Sequence, residues 1–238
     1  MKVFILSILF CFPLFASRIK VIVIDSGVGN HQINQPYMCK NASKTLVGNG
    51  KFDNSGHGTN IISIIQQGIN VKTHCIVSYK IWYAGISGED SIAASIKALR
   101  LALNSKNVGF VNISMGGPEP HKMEKFLIKQ LLINNVKVVV AAGNGDGNGK
   151  AINLDKNCEY FPACYKKTLQ YTNFYVVTAN LYSSNYGAIV TDKLNGINIG
   201  IPKRSGTSQA TASKTSQLLK KCGILKYRSL YDRSSFPI

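Results

Sequence analysis

A continuous apolar, β-branched run over 19–24 reads as a strand buried on both faces, as in a parallel sheet, and strand-like segments recur at 76–82, 108–113, 136–142 and 175–179, with 136–142 the strongest. Between them lie stretches with a helical period. Ile92, Ile96, Leu99 and Leu103 mark a helix over 91–104, and similar segments cover 60–67, 123–134 and the run from Ser208 toward Leu219. Residues 28–56, rich in Gly, Asn and Ser, read as loop. Alternating strands and helices predict an α/β fold of three layers, a mostly parallel central sheet with helices on both faces. Asp25, Ser114 and Asn144 close predicted strands, and in such sheets the ligand crevice lies at the carboxyl ends. No internal repeat or linker divides the chain, so residues 17–238 are expected to form one domain.

Residues 1–16 break this pattern. Lys2, an apolar run over 3–15 and then Ala16-Ser17 have the form of a secretory signal, too short to cross a bilayer comfortably. The expectation is export, to an extracellular or periplasmic space that permits disulfides. Of six cysteines Cys11 leaves with the signal, and the remaining five are odd in number, so at least one stays free or pairs between chains. Cys158 and Cys164 flank the Phe161-Pro162 turn and could close a small loop. There is no Cys-x-x-Cys pair, and His31, His57, His74 and His121 lack the spacing of a zinc helix.

The chain carries 28 Lys and Arg against 11 Asp and Glu, a net charge of +17. The basic residues are scattered, with Lys166-Lys167 and Lys220-Lys221 the densest clusters. Without a basic stripe interleaved with aromatics, no specific nucleic-acid partner is expected. A solvated basic surface is the simpler reading, and association with anionic surfaces the alternative. Of two glycosylation sequons, Asn41-Ala-Ser43 and Asn112-Ile-Ser114, the second falls in a segment expected to be buried. The Gly-rich stretch 143–149 lacks the Lys-Ser/Thr of a phosphate-binding loop.

Three residues could together perform nucleophilic chemistry. A serine hydroxyl needs a neutral imidazole to take its proton, a carboxylate to orient that imidazole, and fixed donors for the oxyanion that forms. Asp25 ends a strand, His57 sits between Gly56 and Gly58, and Ser208 follows Gly206-Thr207 where a helix is expected to begin. A helix N-terminus suits a developing negative charge. Asn144, at the end of the strongest predicted strand, has an amide that could be aimed at it.

The segments Val-Ile-Asp-Ser-Gly (23–27), Gly-His-Gly-Thr (56–59), Asn-Ile-Ser-Met-Gly-Gly-Pro (112–118), Ala-Ala-Gly-Asn-Gly (141–145), Phe-Pro-Ala (161–163), Ser-Asn-Tyr-Gly (184–187) and Ser-Gly-Thr-Ser-Gln-Ala (205–210) resemble, in order, the signatures of the subtilases, the subtilisin-like serine peptidases. The resemblance runs from about residue 19 to about residue 219 and implies a subtilisin-like fold and serine endopeptidase activity through an acyl-enzyme. By that resemblance Asp25 orients the imidazole, His57 is general base and then acid, Ser208 is the nucleophile, and Asn144 with the Ser208 N–H binds the oxyanion. Ser114, Met115 and Gly116 would pair with an extended polypeptide substrate beside the S1 pocket, with residues 85–88 as the opposing strand. Tyr160, just before Phe161-Pro162, would stand at the floor of that pocket. A monomer is expected, with no cofactor for the chemistry. Structural calcium is common in the family, but the few carboxylates here place no site.

The chain also departs from the family pattern. The first core strand follows the signal so closely that no propeptide is recognisable. Leu194-Asn195-Gly196 stands for Ala-Pro-Gly, Gln209 for Met after the nucleophile, Ser213 for Pro, and Thr215-Ser216-Gln217-Leu218 for His-Val-Ala-Gly. The helix behind Ser208 is therefore expected to be repacked. A subtilase-like fold that has lost catalysis and serves as a binding module is the competing reading.

Overall fold

The computed structural model describes residues 17–231 apart from 49 and 51, with side chains described as far as Lys221. The proposed signal over 1–16, with Cys11, and the side chain of Cys222 lie outside the described residues.

Seven parallel strands form one sheet: β1 (Ile19–Asp25), β2 (Lys44–Thr45), β3 (His74–Lys80), β4 (Val108–Ile113), β5 (Lys137–Ala141), β6 (Phe174–Ala179) and β7 (Asp192–Leu194), in the order β2-β3-β1-β4-β5-β6-β7. The helices are α1 (His57–Ile65), α2 (Gly88–Leu103), α3 (Lys122–Ile133) and α4 (Thr207–Tyr231). The expected three-layer α/β arrangement is the one found.

Strand side chains alternate between faces with the period of two that the pleat imposes. Ile22 and Ile24 of β1, Val111 and Ile113 of β4 and Val138 and Val140 of β5 enter one core, with Leu99 of α2 and Ile128 and Leu131 of α3. Val21, Val23, Phe110 and Val139 enter the other, with Ile61, Ile62 and Ile65 of α1 and Ala210 and Leu219 of α4. Burial on both faces is why these strands read as unbroken apolar runs.

Local signals set several boundaries. The Ser87 hydroxyl caps α2 by accepting the Asp90 N–H at 3.0 Å, and Glu89 and Asp90 occupy its first turn, where the helix dipole favours acids. Residues 85–88 do not form the expected strand: Ser87 is the cap and Gly88 opens the helix. The edge strands β2 and β7 have two and three residues, too few to show a period. Helix α4 continues past Leu219 to Tyr231.

Among the described residues two disulfides are present. Cys158–Cys164 is the small loop anticipated, and Cys39–Cys75 ties the loop after β1 to β3. Among the described residues no helix is long and apolar enough to cross a membrane. Asn112 is fully buried, in keeping with its sequon being a chance match.

Candidate active site

The chain leaves β1 for β3 on one side and crosses back to β4 on the other, so a crevice opens where the order reverses, beyond the carboxyl ends of β1 and β4. Asp25 is the last residue of β1 and fully buried. His57 is the first of α1, and its Nδ1 lies 2.7 Å from Asp25 Oδ1. The adjoining glycine makes this approach possible: a Cβ on Gly58 would lie 2.3 Å from the Gly27 carbonyl oxygen and 3.2 Å from Asp25 Oδ1. The Asp25 charge is the largest influence on the His57 imidazole and raises its pKa above 6.5; burial and the Arg204 guanidinium oppose it, while the Asp25 hydrogen bond and the Asp53 carboxylate add to it.

Ser208 is the second residue of α4 and is buried. Its hydroxyl donates to the Ser114 carbonyl at 2.8 Å rather than to His57, and the Ser114 hydroxyl donates to the Ser208 carbonyl at 3.3 Å. The end of β4 and the start of α4 are thus tied directly. Asn144 is exposed at the mouth of the crevice. Its Oδ1 accepts the Thr207 N–H at 2.8 Å and the Thr207 hydroxyl at 3.1 Å, which leaves both Nδ2 hydrogens for an incoming oxygen. A helix N-terminus and an amide with free donors are thus joined through Thr207, and the histidine–carboxylate pair is carried by α1, which packs against α4.

Ser114, Met115 and Gly116 run from the end of β4 into an antiparallel bridge, where the Gly117 N–H donates to the Phe161 carbonyl at 3.0 Å and the Phe161 N–H to the Gly117 carbonyl at 2.8 Å. The Tyr160 ring points inward. It is wedged between Gly116 and Gly143, since a Cβ on either would come within 2.8 Å of ring carbons. Burial pushes the Tyr160 hydroxyl up to about 12. The ring fills the slot between the two segments that flank Ser114 and Asn144.

Several residues that the sequence reading passed over hold this site. Asp53 lies in the segment read as loop. Its carboxylate accepts the N–H groups of Ser55, Gly56 and Thr59 at 2.8–3.0 Å, together with hydroxyls of Ser26, Ser55 and Thr59, and so caps the helix that begins at His57. An acid just before a helix start is a legible cap signal. Lys80, buried at the end of β3, donates from Nζ to the Phe52 carbonyl at 2.8 Å and fixes the approach to Asp53. Arg204 donates to the Ser55 carbonyl. Gln209 does more than replace a methionine: its Nε2 donates to Asn60 Oδ1 at 2.8 Å, and Asn60 Nδ2 donates to the Ile199 carbonyl at 2.8 Å and the Pro202 carbonyl at 2.5 Å. The altered helix is joined by a further chain, Thr215 Oγ1 to Asn112 Oδ1 at 2.9 Å and Asn112 Nδ2 to Ser114 Oγ at 2.9 Å. The Asn60–Gln209 and Thr215–Asn112 contacts pair residues 149 and 103 positions apart, whereas the Asp53 contacts are mostly local.

Among the described residues, no three or more His, Cys, Asp or Glu side chains gather to hold a metal ion.

Comparison with known proteins adds a separate line. Residues 16–221 match the model of the peptidase S8 group, described as the subtilase family. The chain is 29% identical over 206 residues to the Schizosaccharomyces pombe protein isp6, which carries the name of a subtilase-type proteinase of the sexual differentiation process; this covers 84% of the chain and 42% of isp6. It is 25% identical over 212 residues to the minor extracellular protease Epr of Bacillus subtilis, covering 83% of the chain and 31% of Epr. The chain thus spans less than half the length of either relative. The crystal structure of a cold adapted subtilisin-like serine proteinase shares the fold, with a TM-score of 0.61 at 20% identity over 85% of this chain and 76% of that one. The family match spans every element from β1 through the start of α4, and with the Asp25–His57 pair and the Ser208 helix it leads to one assignment: the chain belongs to the subtilase family.

Proposed function

We propose that this chain is a secreted serine endopeptidase that hydrolyses extended polypeptide through an acyl-enzyme, with Asp25, His57 and Ser208 as its triad. The observation that carries the reading is the 2.7 Å contact between a buried carboxylate and the His57 imidazole, on a helix packed against the one that bears Ser208. Rotation about the Ser208 Cα–Cβ bond moves its hydroxyl from the Ser114 carbonyl toward the imidazole. His57 then takes the proton as Oγ bonds to the scissile carbonyl carbon, and Asp25 stabilises the imidazolium. The carbonyl π pair moves onto oxygen, where the Asn144 amide and the Ser208 N–H offer donors. When the intermediate collapses, the C–N bond breaks and the imidazolium gives its proton to the leaving amine. Water, deprotonated by His57, repeats the sequence on the acyl-enzyme and frees Ser208.

A substrate strand fits along Ser114, Met115 and Gly116, whose backbone leads into the bridge with Phe161. The wedged Tyr160 ring supports a preference for small P1 side chains. Secretion is supported by the pattern of residues 1–16, by two disulfides, and by the likeness to a relative named as extracellular.

The test is a serine-directed fluorophosphonate probe on the purified chain. Labelling is expected in the wild type and absent in Ser208→Ala, with peptidase activity lost alongside. Asn144→Ala should keep the fold and lower kcat by about 10²–10³, the size of one lost oxyanion donor. A folded wild-type protein that takes no label would favour the binding-module reading instead.

A further inference from the structure

The hairpin that precedes the nucleophile carries a cation to the turn before His57. Ile199 and Arg204 are bridge partners and exchange both backbone hydrogen bonds, at 3.1 and 3.2 Å. The turn between them is seated on α1. Asn60 donates to the Ile199 and Pro202 carbonyls at 2.8 and 2.5 Å, and the Ser63 hydroxyl accepts the Ile201 N–H at 2.7 Å. Gly200 lies so close that a Cβ there would come within 2.2 Å of Asn60 Nδ2. Arg204 is thereby held against the segment that leads into His57. Its Nη2 donates to the Ser55 carbonyl, and a Cβ on Gly56 would lie 3.4 Å from the same nitrogen.

This guanidinium differs from the scattered surface cations. It is half-buried, and it stands close enough to His57 to hold the imidazole pKa down. No carboxylate meets it: neither ion pair among the described residues involves Arg204. Asp53, which also acts on His57, spends both oxygens on N–H and hydroxyl donors of Ser26, Ser55, Gly56 and Thr59. Arg204 Nε is buried without a partner, while Nη1 stays open to solvent and has none among the described residues. A guanidinium presents five donors in a planar fork that matches a carboxylate, and one bond to a neutral carbonyl leaves most of them unused.

The inference rests on the peptidase reading, in which the acyl portion of a substrate lies along Ser114, Met115 and Gly116 and the imidazole gives its proton to the leaving amine. The leaving portion then passes His57, on the side where Arg204 stands. A chain laid there takes water from the guanidinium, and a charge buried without a partner is costly. We propose that Arg204 is a specificity-determining residue that pairs with an Asp or Glu side chain one or two residues after the scissile bond. The substrate class is then polypeptide with an acid on the leaving side. The carboxylate accepts charge-assisted hydrogen bonds from the fork, and a Lys at the same place is repelled. The net charge of +17 draws acidic polypeptide as a whole, but only a fixed cation distinguishes positions along it.

Internally quenched peptides with Asp, Glu, Asn, Gln or Lys at P1′ or P2′ test it, by kcat/KM at a pH above the acid limb. The acids should exceed their amides by about tenfold, the size of a hydrogen bond to a charged group, with Lys the slowest. The preference should shrink as salt rises. Moving the acid to P4 should forfeit the gain. Arg204→Met should flatten the ranking while the Asn and Gln peptides are still cleaved, and Arg204→Lys should keep part of it, since the charge stays without the fork. Lys203→Met removes the same charge from the exposed neighbour and should leave the ranking unchanged. A charge-blind wild type, or the wild-type ranking in Arg204→Met, overturns the proposal. An equal gain from P4, or an equal loss in Lys203→Met, overturns it too, because either assigns the effect to net charge. Fluorophosphonate labelling of Ser208 in the same preparation keeps the two readings apart. Label with a charge-blind ranking removes the role of Arg204 alone, whereas a folded protein without label removes the peptidase reading with it.

Discussion

The layer of α2 and α3 and the layer of α1 and α4 cover opposite faces of the same sheet, but they pack by different means. Between α2 and α3 the contact is made by Ala94, Ala98, Leu99, Leu127, Ile128 and Leu131. Its buried acid, Glu124, is satisfied by the Ser95 hydroxyl at 3.1 Å and the Tyr165 hydroxyl at 3.0 Å, and burial raises its pKa. Between α1 and α4, Asn60, Ser63, Gln209, Thr211 and Thr215 are all buried. Asn60 binds three partners there, and the Ser63 hydroxyl accepts the Ile201 N–H at 2.7 Å while donating to the Asn60 carbonyl at 2.7 Å. Apolar packing is non-directional and constrains volume, whereas a hydrogen-bond network constrains the position of each member. The layer that carries both His57 and Ser208 adds these directional contacts to an apolar core of its own, with Ile61, Ile62, Ile65, Ala210 and Leu219.

Substitutions should separate the two layers. Leu131→Ala should cost about 2–5 kcal/mol of stability, the usual range for a large buried side chain cut to a methyl. It should leave kcat of the folded protein unchanged. Asn60→Ala leaves the Ile199 and Pro202 carbonyls and the Gln209 amide without their partner, at about 1–3 kcal/mol for each group that finds no substitute. It should also lower kcat, because the start of α4 loses its tether. Denaturant unfolding with kcat on a small peptide reads both effects. If Leu131→Ala slowed turnover as much as Asn60→Ala does, the division between the layers would fail.

The apolar layer reaches the candidate site through the Tyr160 ring, which packs with Met115 and Phe161 against the core of α2 and α3. Replacing it with glycine empties the slot between Gly116 and Gly143. Tyr160→Gly should raise kcat/KM selectively for large P1 residues, by on the order of 1–3 kcal/mol in discrimination. A P1-varied peptide series gives the ranking, and an unchanged order would take Tyr160 out of the pocket.

The smallest expected effect is electrostatic and belongs to the polar layer. As the proposed general base His57 would act only when neutral, so its raised pKa would place the acid limb of the kcat/KM profile above pH 6.5. Activity should therefore be lost as pH falls through that raised value. Arg204 pulls the pKa down, so Arg204→Met should move the limb further up. Profiles across pH 5–9 compare the two proteins, and a limb that moved down would assign Arg204 the wrong sign.

Much of this architecture was legible because its signals are local. A strand buried on both faces is mostly apolar, so β1, β4 and β5 stood out as runs, within a residue or two of their ends, although β3 is buried throughout with His74, Ser78 and Lys80 in it. Asp25, His57, Asn144 and Ser208 were legible through the short motifs around them. Close approach demands glycine at a neighbouring position, as at Gly58, and helix starts demand small polar residues. Cys158 and Cys164 were readable as a pair because they are close in sequence.

The sequence by itself therefore determined the strand–helix alternation, the family signatures and the triad candidates. Tertiary structure alone decided what holds them. The Asn60–Gln209 contact joins residues 149 positions apart, and the Thr215–Asn112 contact residues 103 apart. Cys39 met Cys75 rather than another of the remaining cysteines because the segment around Met38 pairs with β3 at Ile76. The same holds for the inward turn of Tyr160, which the 117–161 bridge sets, and for the present Ser208 hydroxyl bond to Ser114. A polar side chain has no period and no fixed partner in sequence, so its role is settled by which neutral donor and acceptor the folded sheet brings within about 3 Å.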